Sequence, residues 1–195
     1  DEAAELAGCA VANGGWWFAG SGWVQPPSLC AASLEAAGGR VRGHFGQTVA
    51  RLGYCGGAWH AHGPDGRTIA SAPVAILAPG TGIAGFEQAS LPVVSARGQV
   101  THLASAAGSA PRVVMCRGGY VSPAVDGLRC AGATFAVDDP DPDLRPEDHA
   151  ENLQRLAAML PGFVAAVGAD LDPARLGGRV GFRPASPDRL PMIGA

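Results

Sequence analysis

The apolar positions of this chain recur with the short period of strands along most of its length. Alternating or continuous apolar stretches bounded by glycine and proline predict strands in two blocks. The predicted strands are residues 14–18, 23–24, 40–45, 47–52, 58–61, 67–70 and 73–78 in the first block, and 95–103, 113–116, 120–122, 128–135 and 179–183 in the second. Turn residues at 64–66 (PDG) and 126–127 (DG) predict two hairpins.

Two segments have the spacing of helices. Residues 26–37 begin with two prolines, which the first turn of a helix tolerates, and stop before a glycine pair. Residues 146–160 begin with Pro146, and two acids follow it at the helix end that favours negative charge. Many strands with two clear helices predict an α+β fold. Residues 73–78 (PVAILA), apolar throughout, predict a parallel strand that is buried on both faces.

Composition and charge narrow the class of protein. The 195 residues are 47% hydrophobic and 16% charged, so the chain can bury a core and is not expected to be disordered. A net charge of −3 argues against a domain that binds nucleic acid mainly through phosphates, although all 14 basic residues are arginine. The five cysteines form no CxxC pair, and no apolar run approaches about 18 residues. We therefore expect reduced thiols, no membrane span and a cytoplasmic location.

The motif GTGIAG at 80–85 has the glycine spacing of a dinucleotide-binding turn. Only six residues separate it from Pro92, too few for the helix that should follow, and no acid lies about 20 residues further on. We interpret it as the glycine end of a late strand in a nucleotide-binding sheet, passing near a cofactor.

Two patterns suggest metal sites but lack the complete ligand set. The acidic loop at 139–143 begins like a calcium loop without the required glycine and final glutamate, so we expect a solvated loop. His60 and His62 share one strand face without an evident third ligand, which favours a hairpin surface over zinc. No metal site is predicted, and no hydrolase motif is present.

Aromatic residues and one arginine leave alternatives open. Trp16, Trp17 and Trp23 could form a stacking surface for a base or flavin, but packing in the core is the favoured interpretation. Arg183 follows a predicted strand and precedes a proline-rich loop. It could form a surface salt bridge or, in a pocket, bind a substrate carboxylate through its planar guanidinium.

Several blocks stand in a distinctive order along the chain. They are residues 14–26, 75–80 (AILAPG), 91–100 (LPVVSARGQV), 119–123 (GYVSP), 132–134 (GAT) and 181–194. This ordered set resembles the FAD-dependent amine and amino-acid oxidase superfamily, typified by glycine oxidase and D-amino-acid oxidase. Residues 22–26 (GWVQP), 97–102 (RGQVTH) and 187–194 (PDRLPMIG) are most similar to the oxidase half of bifunctional enzymes that modify the tRNA wobble uridine.

The resemblance covers nearly the whole chain and implies an α+β fold of the D-amino-acid oxidase type. Such a fold combines a mixed or antiparallel substrate-domain sheet, with helices on one side, and a few strands of a Rossmann-like FAD-binding domain. It implies a domain boundary in residues 1–30, partial FAD-binding elements in 31–90, a substrate-binding domain in 91–180 and a return towards the FAD domain in 181–195.

The resemblance also implies a reaction and its participants. FAD would oxidise a carboxymethylaminomethyl group on the wobble uridine or 2-thiouridine of tRNA, giving an aminomethyl uridine and glyoxylate. A fused methyltransferase using S-adenosylmethionine would belong to the parent enzyme. Two alternatives stay open: an oxidase of small amines or amino acids, of the glycine or sarcosine oxidase type, and a binding domain without turnover.

By the family's pattern, Arg183 binds the substrate carboxylate and Tyr120 lines the same pocket. The residues implied near FAD are Val49 at the adenine, Ala78, Gly80 and Gly98 close to the cofactor, and Pro191, Met192, Ile193 and Gly194 along the flavin. No residue is assigned the chemical step. The family's strand–helix phosphate-binding fingerprint has no counterpart here. We therefore expect an interior part of an oxidase module that binds FAD weakly or not at all by itself.

Overall fold

The computed structural model describes residues 2–86, 91–106, 109–167 and 171–194. The helices of this part are α1 (Glu2–Ala7), α2 (Pro26–Ala37), α3 (Pro146–Met159) and α4 (Pro161–Val167). The strands are β1 (Arg51–Cys55), β2 (Ala58–His62), β3 (Thr68–Ala72), β4 (Val94–Ala104), β5 (Met115–Cys116), β6 (Tyr120–Val121), β7 (Leu128–Gly132), β8 (Ala136–Val137) and β9 (Gly178–Ala185). The α+β class predicted from the sequence is confirmed.

The chain divides into two compact units. The first consists of Asp1–Trp23 and Ser95–Arg183, and the second of Val24–Val94 and Pro184–Ala195. The four predicted domain segments, and the role given to each, stay predictions. No helix in the described ranges is long and apolar enough to cross a membrane.

The first unit is built on a six-stranded sheet. Its order is β5-β6-β7-β4-β8, and β9 pairs with β4 as well. The pairings of β4 with β7 and β8, and of β6 with β5 and β7, are antiparallel. As predicted, residues 126–127 turn one hairpin: Asp126 and Gly127 both have positive φ between the bridged residues Val125 and Leu128.

One face of this sheet packs on the helices. The core is formed by Leu103, Val121 and Ala131 from β4, β6 and β7, together with Leu156, Met159, Leu160 and Phe163. Successive side chains of a strand point to opposite faces. The neighbouring positions therefore belong to the other face, which we call the glycine-bearing face. On β4, β6 and β7 it carries Gly98, Val100, His102, Tyr120, Cys130 and Gly132.

Strand β9 extends the glycine-bearing face. A β-carbon on Gly178 would lie 2.8 Å from Cε1 of His149 in α3, so residue 178 points towards the helices. By alternation, Arg179, Gly181 and Arg183 point to the glycine-bearing face. This placement brings residues from distant parts of the sequence onto one surface.

The second unit contains an antiparallel meander. Strands β1, β2 and β3 pair in chain order, and the predicted turn at 64–66 connects the last two. Helix α2 begins at Pro26 as predicted, but none of its residues is buried. Leu52 and Ile83 are the buried hydrophobic residues of this unit within the described ranges.

Several predicted strands do not form in the part of the chain described. Residues 14–18, 23–24, 40–45 and 73–78 lie outside all observed strands. Residues 73–78 are not buried either, since Val74 is 73% and Ile76 90% exposed. The prediction of a buried parallel strand there is wrong. An apolar run indicates a tendency to be buried, whereas a strand also needs a neighbour for its N–H and C=O groups, and no described residue pairs with this segment.

The acidic loop lies at the surface, as predicted, with residues 138, 140 and 142–144 exposed. In addition, the carboxylates of Asp139 and Asp141 pair with Arg145 at 2.6 and 2.7 Å. The hydrogen bonds from Arg145 are the main cause that lowers the pKa of Asp139, whereas the pKa of Asp141 is lowered mainly by the backbone N–H of Asp143 and then by Arg145. The loop is thus held by its own arginine, which a prediction from acid spacing alone does not include.

Candidate functional site

The glycine-bearing face brings together three residues that the resemblance pointed to. Gly98 is buried in the middle of this face. A β-carbon at Gly98 would lie 3.0 Å from the carbonyl oxygen of Thr134 and 3.7 Å from Nη2 of Arg183. The Arg183 guanidinium therefore lies close above a strand position without a side chain. Tyr120 is on the same face, two strands away from β4.

Tyr120 combines a half-buried side chain with a nearby positive charge. Burial is the main cause that raises the pKa of its hydroxyl, and Cys130 adds to it, whereas the charges of Arg183 and Arg179 act in the opposite direction. The net shift is upwards, so the phenol keeps its proton at neutral pH. It can therefore donate one hydrogen bond and accept another.

Arg183 is exposed and has no fixed partner in the part of the chain that the structure describes. No hydrogen bond or ion pair joins its guanidinium to a described residue, so the surface salt bridge considered for it has no acid there. A free guanidinium presents several parallel donors that match a carboxylate. The arrangement can hold a small carboxylate between Arg183 and the Tyr120 hydroxyl, above the glycines.

Sequence reasoning missed three members of this face. Arg179, His102 and Gly132 lie on it with the expected residues but were given no role. The signal for Arg179 was available, because residues 179 and 183 lie on the same face of the predicted strand 179–183. His102 and Gly132 depend on the pairing of β4 with β7, which local spacing does not determine.

The residues implied near FAD, apart from Gly98, belong to the second unit. They are Val49, Ala78, Gly80, Pro191, Met192, Ile193 and Gly194, and all of them are exposed. No contact joins them into one site within the described ranges. The backbone groups of Val49 bond to no described residue, and the same holds for residues 191–194. An unpaired backbone edge and an exposed apolar segment fit an adenine edge and a flat flavin ring.

The described residues offer no comparable binding position for the pyrophosphate of such a cofactor. Gly80–Gly85 forms a short 3-10 helix, and a β-carbon on Gly80 would meet open space. No described α-helix follows a glycine-rich turn that would present its N–H groups to a phosphate. The described residues thus fit the two ends of FAD and not its middle.

The histidine pair considered for zinc has a structural role in a hairpin. His60 and His62 lie on one face of the β2–β3 hairpin and bond to Ser71 and Thr68 at 2.7 and 3.3 Å. Within the described ranges no three His, Cys, Asp or Glu side chains are grouped so that they could hold a metal ion.

The tryptophans are not core residues. Trp16 is 92%, Trp17 53% and Trp23 41% exposed, so the favoured core interpretation is wrong. Trp16 and Trp17 border a cleft of about 390 Å³ in the first unit, with Met115 and Met159 on its other walls. This cleft includes neither Tyr120 nor Arg183.

Comparison with known proteins gives matches along the whole chain. The family described as DAO, FAD dependent oxidoreductase, matches residues 1–195. The tRNA 5-methylaminomethyl-2-thiouridine biosynthesis bifunctional protein MnmC of Azoarcus sp. (strain BH72) is 63% identical over 195 residues, which are 100% of this chain and 30% of that protein. The protein of the same name from Aromatoleum aromaticum (strain DSM 19018 / LMG 30748 / EbN1) is 58% identical over the same shares. The chain thus spans 30% of the length of these curated relatives.

Two solved structures have a similar fold. Glycine oxidase from Geobacillus kaustophilus has a TM-score of 0.59 at 20% identity, covering 76% of this chain and 39% of that one. Iminodiacetate oxidase from Chelativorans sp. BNC1 has a TM-score of 0.52 at 28% identity, covering 70% and 37%. The first of these likenesses concerns the fold alone.

Proposed function

This chain belongs to the family of FAD-dependent oxidoreductases, and from that membership we propose that it is part of an oxidase acting on tRNA. The reaction proposed is the oxidative removal of the carboxymethyl group from carboxymethylaminomethyl-(2-thio)uridine at the wobble position. Its products are the aminomethyl uridine and glyoxylate. The observation that carries the proposal is the placement of Arg183 and Tyr120 on the same face as Gly98, which suits a glycine-like carboxylate.

The names of the relatives support a tRNA substrate. Both describe a bifunctional protein of tRNA 5-methylaminomethyl-2-thiouridine biosynthesis. We extend this to the protein that contains the present chain, including a fused methyltransferase that uses S-adenosylmethionine. Action on tRNA would place the protein in the cytoplasm.

The residues of this chain would bind and orient the reacting groups. Arg183 holds the substrate carboxylate, and the Tyr120 hydroxyl fixes its direction by a hydrogen bond. Gly98 leaves this part of the face without a side chain, and a β-carbon there would lie only 3.0 Å from the carbonyl oxygen of Thr134. FAD, when bound, supplies the acceptor for two electrons and the hydrogen of the C–H bond beside the amine. Loss of that hydrogen with two electrons leaves a protonated imine, and water hydrolyses it, which releases glyoxylate and leaves the protonated primary amine on the uridine.

The second unit would hold the cofactor. We propose that the backbone of Val49 meets the adenine and that residues 191–194 lie along the flavin. Ala78 and Gly80 would pass close to the cofactor, as would Gly98 of the first unit. No chemical proton transfer is assigned to a side chain.

The proposal is tested with the full-length protein loaded with FAD. Modified tRNA should yield glyoxylate in proportion to flavin reduction, and free glycine should be nearly untouched. Arg183→Ala should raise KM for the tRNA about tenfold or more with a smaller change in kcat, because a binding contact is lost. The exposed Arg175 is the matched control, and Arg175→Ala should leave KM unchanged. An Arg183→Ala enzyme with the wild-type KM would contradict the assignment.

A second candidate is an oxidase of small amines. The 28% identity to an iminodiacetate oxidase favours it, because iminodiacetate also carries a carboxymethyl group on nitrogen. Turnover of iminodiacetate or glycine at a kcat/KM above that of modified tRNA would establish this alternative. Absence of flavin reduction on every one of these substrates would leave a binding domain without turnover.

A further inference from the structure

Arg179 is a second free guanidinium on the glycine-bearing face. It is exposed, and it forms no hydrogen bond or ion pair with a described residue. Its charge lowers the pKa of Tyr120 and of Cys130, in each case against the larger effect of burial. Arg183 also lowers the pKa of Tyr120, so both arginines lie near the same phenol.

The spacing of the two arginines makes them separate binding groups. Four residues along a strand separate their Cα atoms by about 13 Å and place both side chains on one face. One guanidinium can bind a single small carboxylate through two parallel hydrogen bonds. The other guanidinium is then left without a partner. Two uncompensated positive charges on one face therefore indicate a ligand with two anionic groups.

A nucleotide in an RNA chain has the second anion that a free amino acid lacks. A glycine-like carboxymethyl group supplies one carboxylate, and the phosphodiester beside the modified nucleoside supplies the other negative charge. Arginine is well suited to a phosphate, since its planar donors match two of the phosphate oxygens. One such contact is compatible with a chain whose net charge is −3, because it needs local and not overall positive charge.

We propose that Arg179 binds an RNA phosphate next to the modified uridine, and that this contact makes the site selective for a nucleotide over a free amino acid. The inference rests on the proposed function and deepens it. Arg183 recognises the carboxylate common to both kinds of substrate, and Arg179 recognises the backbone that only RNA has.

The test compares two substrates with the full-length protein loaded with FAD. One is the modified tRNA and the other is the modified nucleoside without phosphates. Arg179→Ala should lower kcat/KM for the tRNA about tenfold more than for the nucleoside, through KM. The dependence of log KM on log salt concentration should become shallower by about one unit, as for the loss of one phosphate contact. Arg179→Lys should keep most of the salt dependence, since it retains the charge.

Controls separate this inference from its rivals. Arg175→Ala removes an exposed arginine four residues earlier and should leave the ratio between the substrates unchanged. Equal losses on tRNA and nucleoside would overturn the inference, as would the same salt effect in Arg175→Ala. Loss of FAD from Arg179→Ala would assign the residue to the cofactor's phosphates and overturn it as well.

A binding measurement distinguishes its failure from that of the proposed function. Equilibrium binding of an anticodon stem-loop RNA, followed by fluorescence anisotropy, requires no turnover. Weaker binding by Arg179→Ala with a reduced salt slope supports the phosphate contact even if wild-type protein releases no glyoxylate. Unchanged binding and slope overturn the contact even if wild-type protein oxidises the tRNA.

Discussion

Arg97 shows how much of the first unit depends on a single buried charge. The side chain is 1% exposed and lies at the edge of the helix-facing side of β4. It forms an ion pair with Asp148 at the start of α3, donates to the carbonyl oxygens of Asp141 and Asp143, and reaches Oε1 of Gln99 at 3.2 Å. These contacts join a strand, a loop and a helix.

Replacing Arg97 should destabilise the protein strongly. Arg97→Met would leave the Asp148 carboxylate and two carbonyl oxygens without their donor, and breaking a buried pair in this way costs about 3–5 kcal/mol. Urea unfolding measures the loss of free energy. Arg67→Ala is the control, since Arg67 and Asp65 are 3.9 Å apart and highly exposed, and it should leave the midpoint unchanged. A similar midpoint for Arg97→Met and the wild type would contradict this role.

At this scale neither arginine that binds the acidic loop was predicted. Arg145 lies only four residues from Asp141, a spacing that can be seen in the printed sequence. The contacts of Arg97 with the loop and with α3 cross 44 to 51 residues. Local spacing cannot reveal the second arginine, because it belongs to another element.

Helix α3 and strand β4 are joined by a second buried group of polar side chains. Asn152 donates from Nδ2 to the Gln99 carbonyl oxygen at 3.0 Å and to Oγ1 of Thr101 at 3.1 Å. The Thr101 hydroxyl also forms a hydrogen bond with Nδ1 of His149, at 2.8 Å. His149 is 1% exposed, and burial is the main cause that lowers its pKa. The helix is docked by a neutral imidazole.

Stability should therefore fall in mild acid. The unfolded His149 takes up a proton near pH 6.5, whereas the folded one resists protonation until a lower pH. Its contribution is fully present above about pH 6.5 and is lost as the pH falls from there towards the lowered pKa. The urea midpoint at pH 7.5 and 5.5 measures this change, and His149→Gln should be less stable but less dependent on pH across that range. The carboxyls of Asp139 and Asp141 titrate below their ordinary pKa of 3.8 and stay outside this range.

An equal loss between the two pH values in His149→Gln would show that another group is responsible. The limits of α3 itself were predictable, because Pro146, the acids of the first turn and the apolar spacing are all local signals. The bonds that dock α3 were not, since they depend on which residues of β4 face it.

At the scale of the whole molecule, the two units differ in how deeply their helices are buried. In the first unit α3 contributes His149, Asn152, Leu156 and Met159 to the interior. In the second unit α2 has a similar length, 12 residues against 14, but buries none of them. An isolated helix of this length is marginal in water, because most helix stability in proteins comes from packing.

Hydrogen exchange should reveal this difference. In the chain of residues 1–195, backbone amides of α2 should exchange much faster than those of α3, close to the rate of a free helical peptide. Mass spectrometry of peptides covering 26–37 and 146–159 measures both helices in one sample. Equal protection of the two peptides would contradict the expected difference.

The order of the sequence blocks was enough to predict the family. The alternation of apolar and polar residues was enough to predict most strands of the first unit. The glycine-bearing face could be predicted only in part. Arg183 and Tyr120 were found by resemblance, whereas their common surface depends on the register of β6, β7 and β4 over separations of up to 32 residues. The spacing of neighbouring residues does not reveal strand pairing over such separations.

The alternation of side chains along strand β4 predicts two kinds of mutational defect within a single stretch of chain. Its odd-numbered residues, including Arg97, Gln99, Thr101 and Leu103, face the helices, and its even-numbered residues Gly98 and His102 lie on the glycine-bearing face. Amino-acid changes at odd positions should reduce the amount of protein in the cell, so growth at lower temperature or extra chaperone would restore function. Changes at His102 should leave abundant but impaired protein, which neither treatment would help. The even-numbered residues Ala96 and Val100 are buried, so changes there belong with the first kind.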